Sequence, residues 1–254
     1  PISNIFKALH QCFPGVFCFM VAHVICGQNE LEKGIALFNQ RLEGSVKSSA
    51  KPEPITNAIK HFQYALKNSA TETDAELYLL KSYYFRGKYV HENKEKQKAD
   101  FSEGKNLGER YIKKYPDSAP YRFWYLVNLG SWSEVYGIIT AAREGVADLM
   151  KEHSEIIISI DPEYENGGGY FMLGAVHFKS PYIPFLLSWP DNDDAIKYLT
   201  KALNIGGATS NQKVYLRQAM YKDGQKIRAI DVLKEVANMQ PSAEEIVRDW
   251  EQIE

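Results

Sequence analysis

The chain has 254 residues, 44% of them hydrophobic and 13% aromatic, which is enough to bury a sizeable core in one or two domains. The formal net charge is −2 at pH 7, with both signs spread along the chain. This balance argues against a nucleic-acid-binding protein and against a protein drawn to anionic membranes.

Residues 1–27 contain an apolar run from Phe13 to Cys26, with Lys7 before it. Such a run has the length of the apolar part of a signal peptide and is short for a membrane span of about 20 residues. Residues 1–27 are interpreted as a signal peptide, with a retained membrane or assembly anchor and a buried first helix as alternatives. Cleavage after Gly27 and lipidation at Cys26 are both considered, although the residues before Cys26 depart from the lipidation signal.

All three cysteines, Cys12, Cys18 and Cys26, lie in this segment, and the rest of the chain has none. A domain without cysteines suits an oxidising compartment, because it cannot form incorrect disulfide bonds. We therefore expect an exported or periplasmic protein of the cell envelope, which is membrane-anchored if residues 1–27 are retained.

Residues 28–54 form the second predicted segment. Leu31, Ile35, Phe38 and Leu42 recur at spacings of four and three, which predicts an amphipathic helix over residues 29–47. The polar stretch 45–54 follows as a linker. Residues 55–254 form the third predicted segment, a repeat domain.

Five helical stripes run through this domain with apolar or small residues at positions 0, 4 and 7. They begin at Ala58, Gly104, Met150, Ala195 and Ala229. The first three intervals are therefore about 45 residues long and the last is about 34 residues, and regular intervals in this range indicate an array of helical repeats. Pro116, Pro162 and Pro241 each follow the start of a stripe by twelve positions, where a proline ends a helix.

The last and shortest interval is that of tetratricopeptide repeats. Tyr170, Leu173, Gly174 and His177 reproduce the spacing of their first helix, and two similar segments run over 79–89 and 216–224. We therefore expect an all-α superhelix of about five helix pairs with a C-terminal capping helix over residues 246–253. HEAT-type repeats are the competing explanation of the wider intervals.

Insertions of about eleven residues between the two helices of a pair would reconcile the wider intervals with the tetratricopeptide unit. Residues 87–98 are charged and predict a solvated loop. Residues 130–140 are partly apolar and predict an extended helix. Residues 179–190 combine three prolines with large apolar side chains, so we expect them to pack on the array or to face a partner.

One family resemblance rests on the segment Asn128-Leu129-Gly130-Ser131-Trp132, the glycines 167–169 before Tyr170, and Pro184 in the third insertion. Over residues 55–240 the chain resembles the T-component (TatT-type) proteins of TRAP transporters and, more distantly, eukaryotic regulators of microtubule dynamics. The resemblance implies an all-helical periplasmic lipoprotein that binds a partner or ligand near a solute-capture component.

Catalytic and metal-binding motifs are absent from the sequence, so we expect neither an enzyme nor a cofactor. His153 lies between Glu152 and Glu155, which is more typical of helix surface charge than of a metal site. His177 occupies an aromatic core position, and the aspartates at 191–194 are interpreted as a helix N-cap.

The predicted function is therefore binding, by a concave groove lined with the first helix of each pair. Its partner would be a solute-binding protein or assembly neighbours, and an apolar small ligand is a further candidate; a homo-oligomer is also compatible. The alternative role is a structural subunit that is attached through residues 1–27. The groove candidates are Asp74, Leu77, Lys81, Tyr84, Phe171, Phe178, Asn211, Gln218 and Tyr221, with Asn128 and Trp132 added on the family resemblance.

Overall fold

The computed structural model describes residues 14–183, 185 and 187–254, with side chains from residue 27 onward except at position 228. Over these residues the chain is all-α, with twelve α-helices, a 3₁₀ turn at Gln40–Leu42 and two isolated bridges in place of any strand. The helices are α1 (Pro14–Asn39), α2 (Pro52–Ala65), α3 (Glu72–Tyr89), α4 (Lys94–Lys114), α5 (Ala119–Tyr136), α6 (Ile138–Arg143), α7 (Val146–Ile160), α8 (Tyr164–Lys179), α9 (Asn192–Ile205), α10 (Ser210–Lys222), α11 (Lys226–Ala237) and α12 (Ile246–Ile253).

The helices pack as successive pairs, which confirms the predicted tetratricopeptide-like array. The pairs are α1 with α2, α3 with α4, α5 with α7, α8 with α9, and α10 with α11; α6 is a short insertion inside the third pair. Each predicted stripe lies on the second helix of its pair, and α12 packs against α10 and α11. The three marker prolines follow the ends of α4, α7 and α11.

Small residues allow neighbouring helices to approach closely. A Cβ atom on Gly174 of α8 would lie 2.7 Å from Cγ of Leu199 and 3.1 Å from the backbone oxygen of Ala195, both in α9. Likewise, a Cβ on Gly108 of α4 would lie 2.8 Å from the Tyr125 ring of α5. These glycines therefore set the spacing within the fourth pair and between the second and third pairs.

The first pair begins earlier than the sequence predicts. Helix α1 crosses the expected boundary at residue 27 without a break and packs along α2. Gly34 faces the Phe62 ring, and His61 Nδ1 lies 2.7 Å from a Glu30 carboxylate oxygen. The N-terminal amphipathic helix is thus the first member of the array, while residues 1–13, with Cys12, lie outside the described residues.

The insertions also differ from expectation in part. The predicted loop 87–98 is mostly helical, because α3 continues to Tyr89 and the Asn93 side chain caps α4 by accepting hydrogen bonds from the backbone N–H groups of Glu95 and Lys96. Buried Gly87 packs on Phe101 instead of ending α3. The extension at 130–140 is helical, as predicted, through α5 and α6.

The third insertion packs on the array and also faces outward. Leu187 is buried, and Trp189 Nε1 donates a 2.7 Å hydrogen bond to Asp148 at the start of α7. Tyr182 and Phe185 are exposed.

Among the residues that the structure describes, no helix combines the length and apolarity needed to cross a bilayer.

Replacing Gly174 by alanine tests the close contact between α8 and α9. The added methyl group meets the backbone of α9, so we expect Gly174→Ala to lower the free energy of unfolding by about 1–3 kcal/mol. The matched control is Gly130→Ala in α5, because its Cβ would find only Met150 Cε, at 3.9 Å. Gly130→Ala should be neutral or stabilise by up to about 1 kcal/mol. Urea unfolding of both variants measures the difference, and equal stabilities would contradict the packing argument.

Candidate binding cavity

A concave cavity of about 730 Å³ lies inside the array, bounded mainly by the first helices of the pairs and by α12. Its volume falls within the range of roughly 300–1,000 Å³ that is usual for small-molecule sites. The described residues contribute walls of two kinds, one mainly apolar and one mainly polar.

The apolar wall comes from α5, α7 and α8. Its members are side chains that face inward from the middle of the array. They include Phe123, Trp124, Val127, Val146, Met150, Phe171, Met172 and Val176. The rings are held by each other: Phe123 lies edge-on to Trp124 at 5.5 Å, and Phe171 lies edge-on to Tyr215 of α10 at 5.3 Å. A ligand on this wall would bury apolar surface against preformed aromatic faces.

The polar wall comes from α12 and the helices opposite it. One face of the α12 segment lines the cavity, with Glu245 just before the helix and Arg248, Glu251 and Gln252 within it. Lys88 of α3 and Glu134 of α5 line the cavity opposite this face. Lys88 Nζ lies 2.7 Å from a Glu251 oxygen and 3.8 Å from a Glu134 oxygen. Burial alone would lower the pKa of Lys88, but the two carboxylates and Tyr84 raise it above its usual value. Lys88 therefore stays charged and anchors the wall.

The start of α8 is kinked where it borders the cavity. Glu165, Asn166 and Gly167 adopt left-handed conformations with φ of 50°, 55° and 76°. Such backbone is strained for the two residues that are not glycine. The Asn166 carbonyl accepts a 2.9 Å hydrogen bond from Gln212 Nε2, and Gln212 also forms a capping box with Thr209 at the start of α10. These contacts hold the kink in place and turn Glu165 and Asn166 towards the cavity.

Some of the residues predicted to face a groove line the cavity, and the others lie outside it. The four that line it are Tyr84, Phe171, Asn211 and Gln218. Lys81 lies beside it, with Nζ 5.4 Å from the centre of the Trp124 ring. Asp74 and Tyr221 are exposed, and Leu77 and Phe178 pack at the edges of apolar clusters.

Asn128 and Trp132, which were chosen on the family resemblance, lie in helix interfaces and do not line the cavity. Asn128 is fully buried and its Nδ2 donates to the carbonyls of Leu80 and Trp124 at 3.1 and 2.8 Å. Trp132 stacks on Tyr136 with ring centres 4.4 Å apart. Asn128 thus contacts α3, and Trp132 faces α4, where Lys105 Nζ lies 5.4 Å from the centre of its ring.

Sequence reasoning missed Trp124 and the whole contribution of α12. Trp124 precedes Asn128 by one helical turn, so the aromatic spacing along α5 was a usable signal. No local signal places α12 on the cavity, because its position depends on contacts with helices that are distant in the sequence.

The titratable residues that were considered for chemistry have structural partners. His153 is buried, its Nδ1 lies 2.5 Å from Arg122 Nη1, and its ring meets Tyr125 edge-on at 5.3 Å. His177 is also buried, and its Nδ1 accepts from the Asp191 backbone N–H at 3.2 Å. Asp191 caps α9, as predicted. The described residues bring no three His, Cys, Asp or Glu side chains together as metal ligands.

Comparison with known proteins shows the fold. No family model matches the chain, and no match is found among curated proteins. The chain is similar to the crystal structure of TTC0263, a thermophilic TPR protein in Thermus thermophilus, with a TM-score of 0.59 at 15% sequence identity. The match covers 89% of this chain and 98% of that one. The chain thus has a tetratricopeptide-like fold.

The burial of His153 predicts that the stability of the protein depends on pH. Burial lowers its pKa, the Arg122 charge lowers it further, and Glu152 partly opposes them. The unfolded chain, with a histidine pKa of about 6.5, therefore takes up a proton that the folded chain resists, so the free energy of unfolding falls as the pH drops below that value. His153→Gln keeps an acceptor for Arg122 but cannot titrate. Urea unfolding from about pH 7.5 to about pH 5 should show a shallower loss for His153→Gln than for the original chain; parallel curves would contradict the assignment.

Proposed function

We propose that the chain is a non-enzymatic binding scaffold whose cavity holds an amphipathic small ligand or an apolar segment of a protein partner. The observation that carries the proposal is the division of the cavity into an apolar wall on α5, α7 and α8 and a polar wall centred on Lys88 and α12. A molecule with one apolar and one polar side would bury its apolar surface on the first wall and keep polar contacts with the second.

The position of α12 favours a compact ligand over a long extended peptide. Peptides bound by helical repeats usually lie along the concave face over several pairs. Here α12 contacts α3 through Lys88 and Glu251 and contacts α10 through Asp249 and Ser210, so it crosses that face. The space that remains is a partly open cavity of about 730 Å³ and not a groove along the whole array.

Residence in the cell envelope is the second part of the proposal, with a solute-binding protein as a candidate partner. The confinement of all cysteines to residues 12–26 supports it, because the remaining body would fold without thiols in an oxidising compartment. We expect the full chain to fractionate with the periplasm or membrane and a variant lacking residues 1–27 to stay in the cytoplasm. Cytoplasmic recovery of both forms would contradict this location and would also remove the proposed attachment role of the segment.

Filling the cavity tests the binding proposal. Ala175 of α8 lines the apolar wall, so the ring of Ala175→Phe would occupy ligand space. We expect the affinity for an amphipathic probe, 1-anilinonaphthalene-8-sulfonate, to fall at least about tenfold, as the loss of about 1.4 kcal/mol or more of apolar contact requires. Fluorescence titration measures the affinity, and thermal unfolding shows whether the variant is folded.

The matched control is Ala99→Phe, at an exposed position of α4 that does not line the cavity. Its affinity for the probe should equal that of the original chain. Equal affinities for both variants, with both folded, would mean that the probe binds elsewhere and would contradict the proposed site.

A further inference from the structure

We infer that α12 is a strap that joins the last helix pair to the first two pairs and opens as a unit, separately from the repeats, to give access to the cavity. The inference rests on the proposed binding function and adds a means of controlling it. It is drawn from the contacts that α12 makes with the first two pairs and with the last pair, and from the segment that precedes it.

One end of the contact network ties α12 to the beginning of the array. Glu251 pairs with Lys88 of α3 at 2.7 Å. Glu254, which follows α12, accepts hydrogen bonds from Lys47 Nζ at 2.8 Å and from Ser48 Oγ at 2.7 Å. Val247 is 2% exposed and belongs to the apolar cluster formed by the first two helix pairs. The strap therefore connects the last helix pair with the first two pairs.

The other end is anchored by a single buried carboxylate. Asp249 is 4% exposed and accepts hydrogen bonds from Ser210 Oγ of α10 at 2.7 Å and from the Ser242 backbone N–H at 3.0 Å. Ser242 belongs to residues 238–245, a non-helical connection that contains Pro241. This connection is the hinge about which α12 would turn.

Helix α12 makes fewer contacts with the rest of the array than the two helices of a pair make with each other. So short a helix is not stable alone, and an ion pair as exposed as that of Lys47 and Glu254 contributes only about 0–1 kcal/mol. The side chains of Lys47 and Glu254 are 61% and 38% exposed, and those of Lys88 and Glu251 are 28% and 31% exposed. Among the hydrophobic residues of α12, Val247 is buried, and Ile246, Trp250 and Ile253 are partly buried, with Ile246 packed against the same apolar cluster. Such segments open at a lower free energy than the core of a repeat.

Opening would change the cavity directly, because the inner face of α12 is its polar wall. Arg248, Glu251 and Gln252 line the cavity, and Arg248 Nη2 lies 3.0 Å from a Glu245 carboxylate oxygen. A ligand can contact this polar face from the cavity only when the strap is closed, so it binds the closed form better than the open form. Ligand binding and strap closure would then favour each other.

Hydrogen exchange measured by mass spectrometry on the full chain tests the strap without a ligand. The test variant is Glu251→Gln combined with Glu254→Gln, which removes both ion pairs to the first pairs. We expect the amides of residues 246–253 to exchange at least about threefold faster, while those of α2 and α9 keep their rates. The matched control is Glu155→Gln in α7, which removes an ion pair of 2.6 Å to Lys151 away from the strap. It should leave exchange in α12 unchanged.

A second measurement tests access. In stopped-flow mixing with 1-anilinonaphthalene-8-sulfonate, the association rate should rise in Glu254→Gln, whose carboxylate does not line the cavity, and stay constant in Glu155→Gln. Unchanged exchange in α12, or exchange that accelerates equally throughout the array, would overturn the strap; faster exchange with an unchanged association rate would overturn its role in access. Absence of probe binding in every variant would contradict the proposed function instead, and the exchange result would still decide whether α12 opens.

Discussion

The structure depends on close contact between short helices that cannot bury their apolar faces alone. Each pair presents an apolar stripe to the next, so only stacking removes it from water. Gly108 and Gly174 let helices meet at distances that a methyl group would prevent. The same spacing brings the first helices together on one side, and the space between them becomes the cavity. The close packing of the helices and the position of the cavity therefore both depend on where the small residues lie.

Much of the array could be predicted, because the stripes on the second helices are local patterns. Ala58, Gly104, Met150, Ala195 and Ala229 each begin one, and prolines follow three of them. The predicted loop at 87–98 failed for a physical reason: lysine and glutamate favour helices as well as water, so charge alone does not end a helix. The cap at Asn93 was the more informative signal.

The cavity was harder to predict than the fold. Tyr84 and Phe171 line the cavity, and the repeat spacing could place them because it assigns their first helices. Asn128 and Trp132 lie in helix interfaces instead, because an aromatic or amide motif does not say which side of a helix it occupies. The position of α12 depends on contacts with Lys47, Lys88 and Ser210. These residues are far from α12 in the sequence, so no local sequence pattern predicts the contacts.

The departures from the regular repeat concentrate around the cavity, and this is the strongest reason to regard it as functional. Helix α6, the strained kink at Glu165 and Asn166, the insertion at 180–190 and α12 all contribute to its walls. A regular array needs α12 only as a terminal cap, and it needs none of the other three features for stacking. Strained backbone and irregular insertions reduce stability unless they serve another purpose, and in natural proteins local rules fail mainly at functional sites. Repetition explains why this chain folds, whereas its departures from the repeat surround the cavity to which we assign the proposed binding.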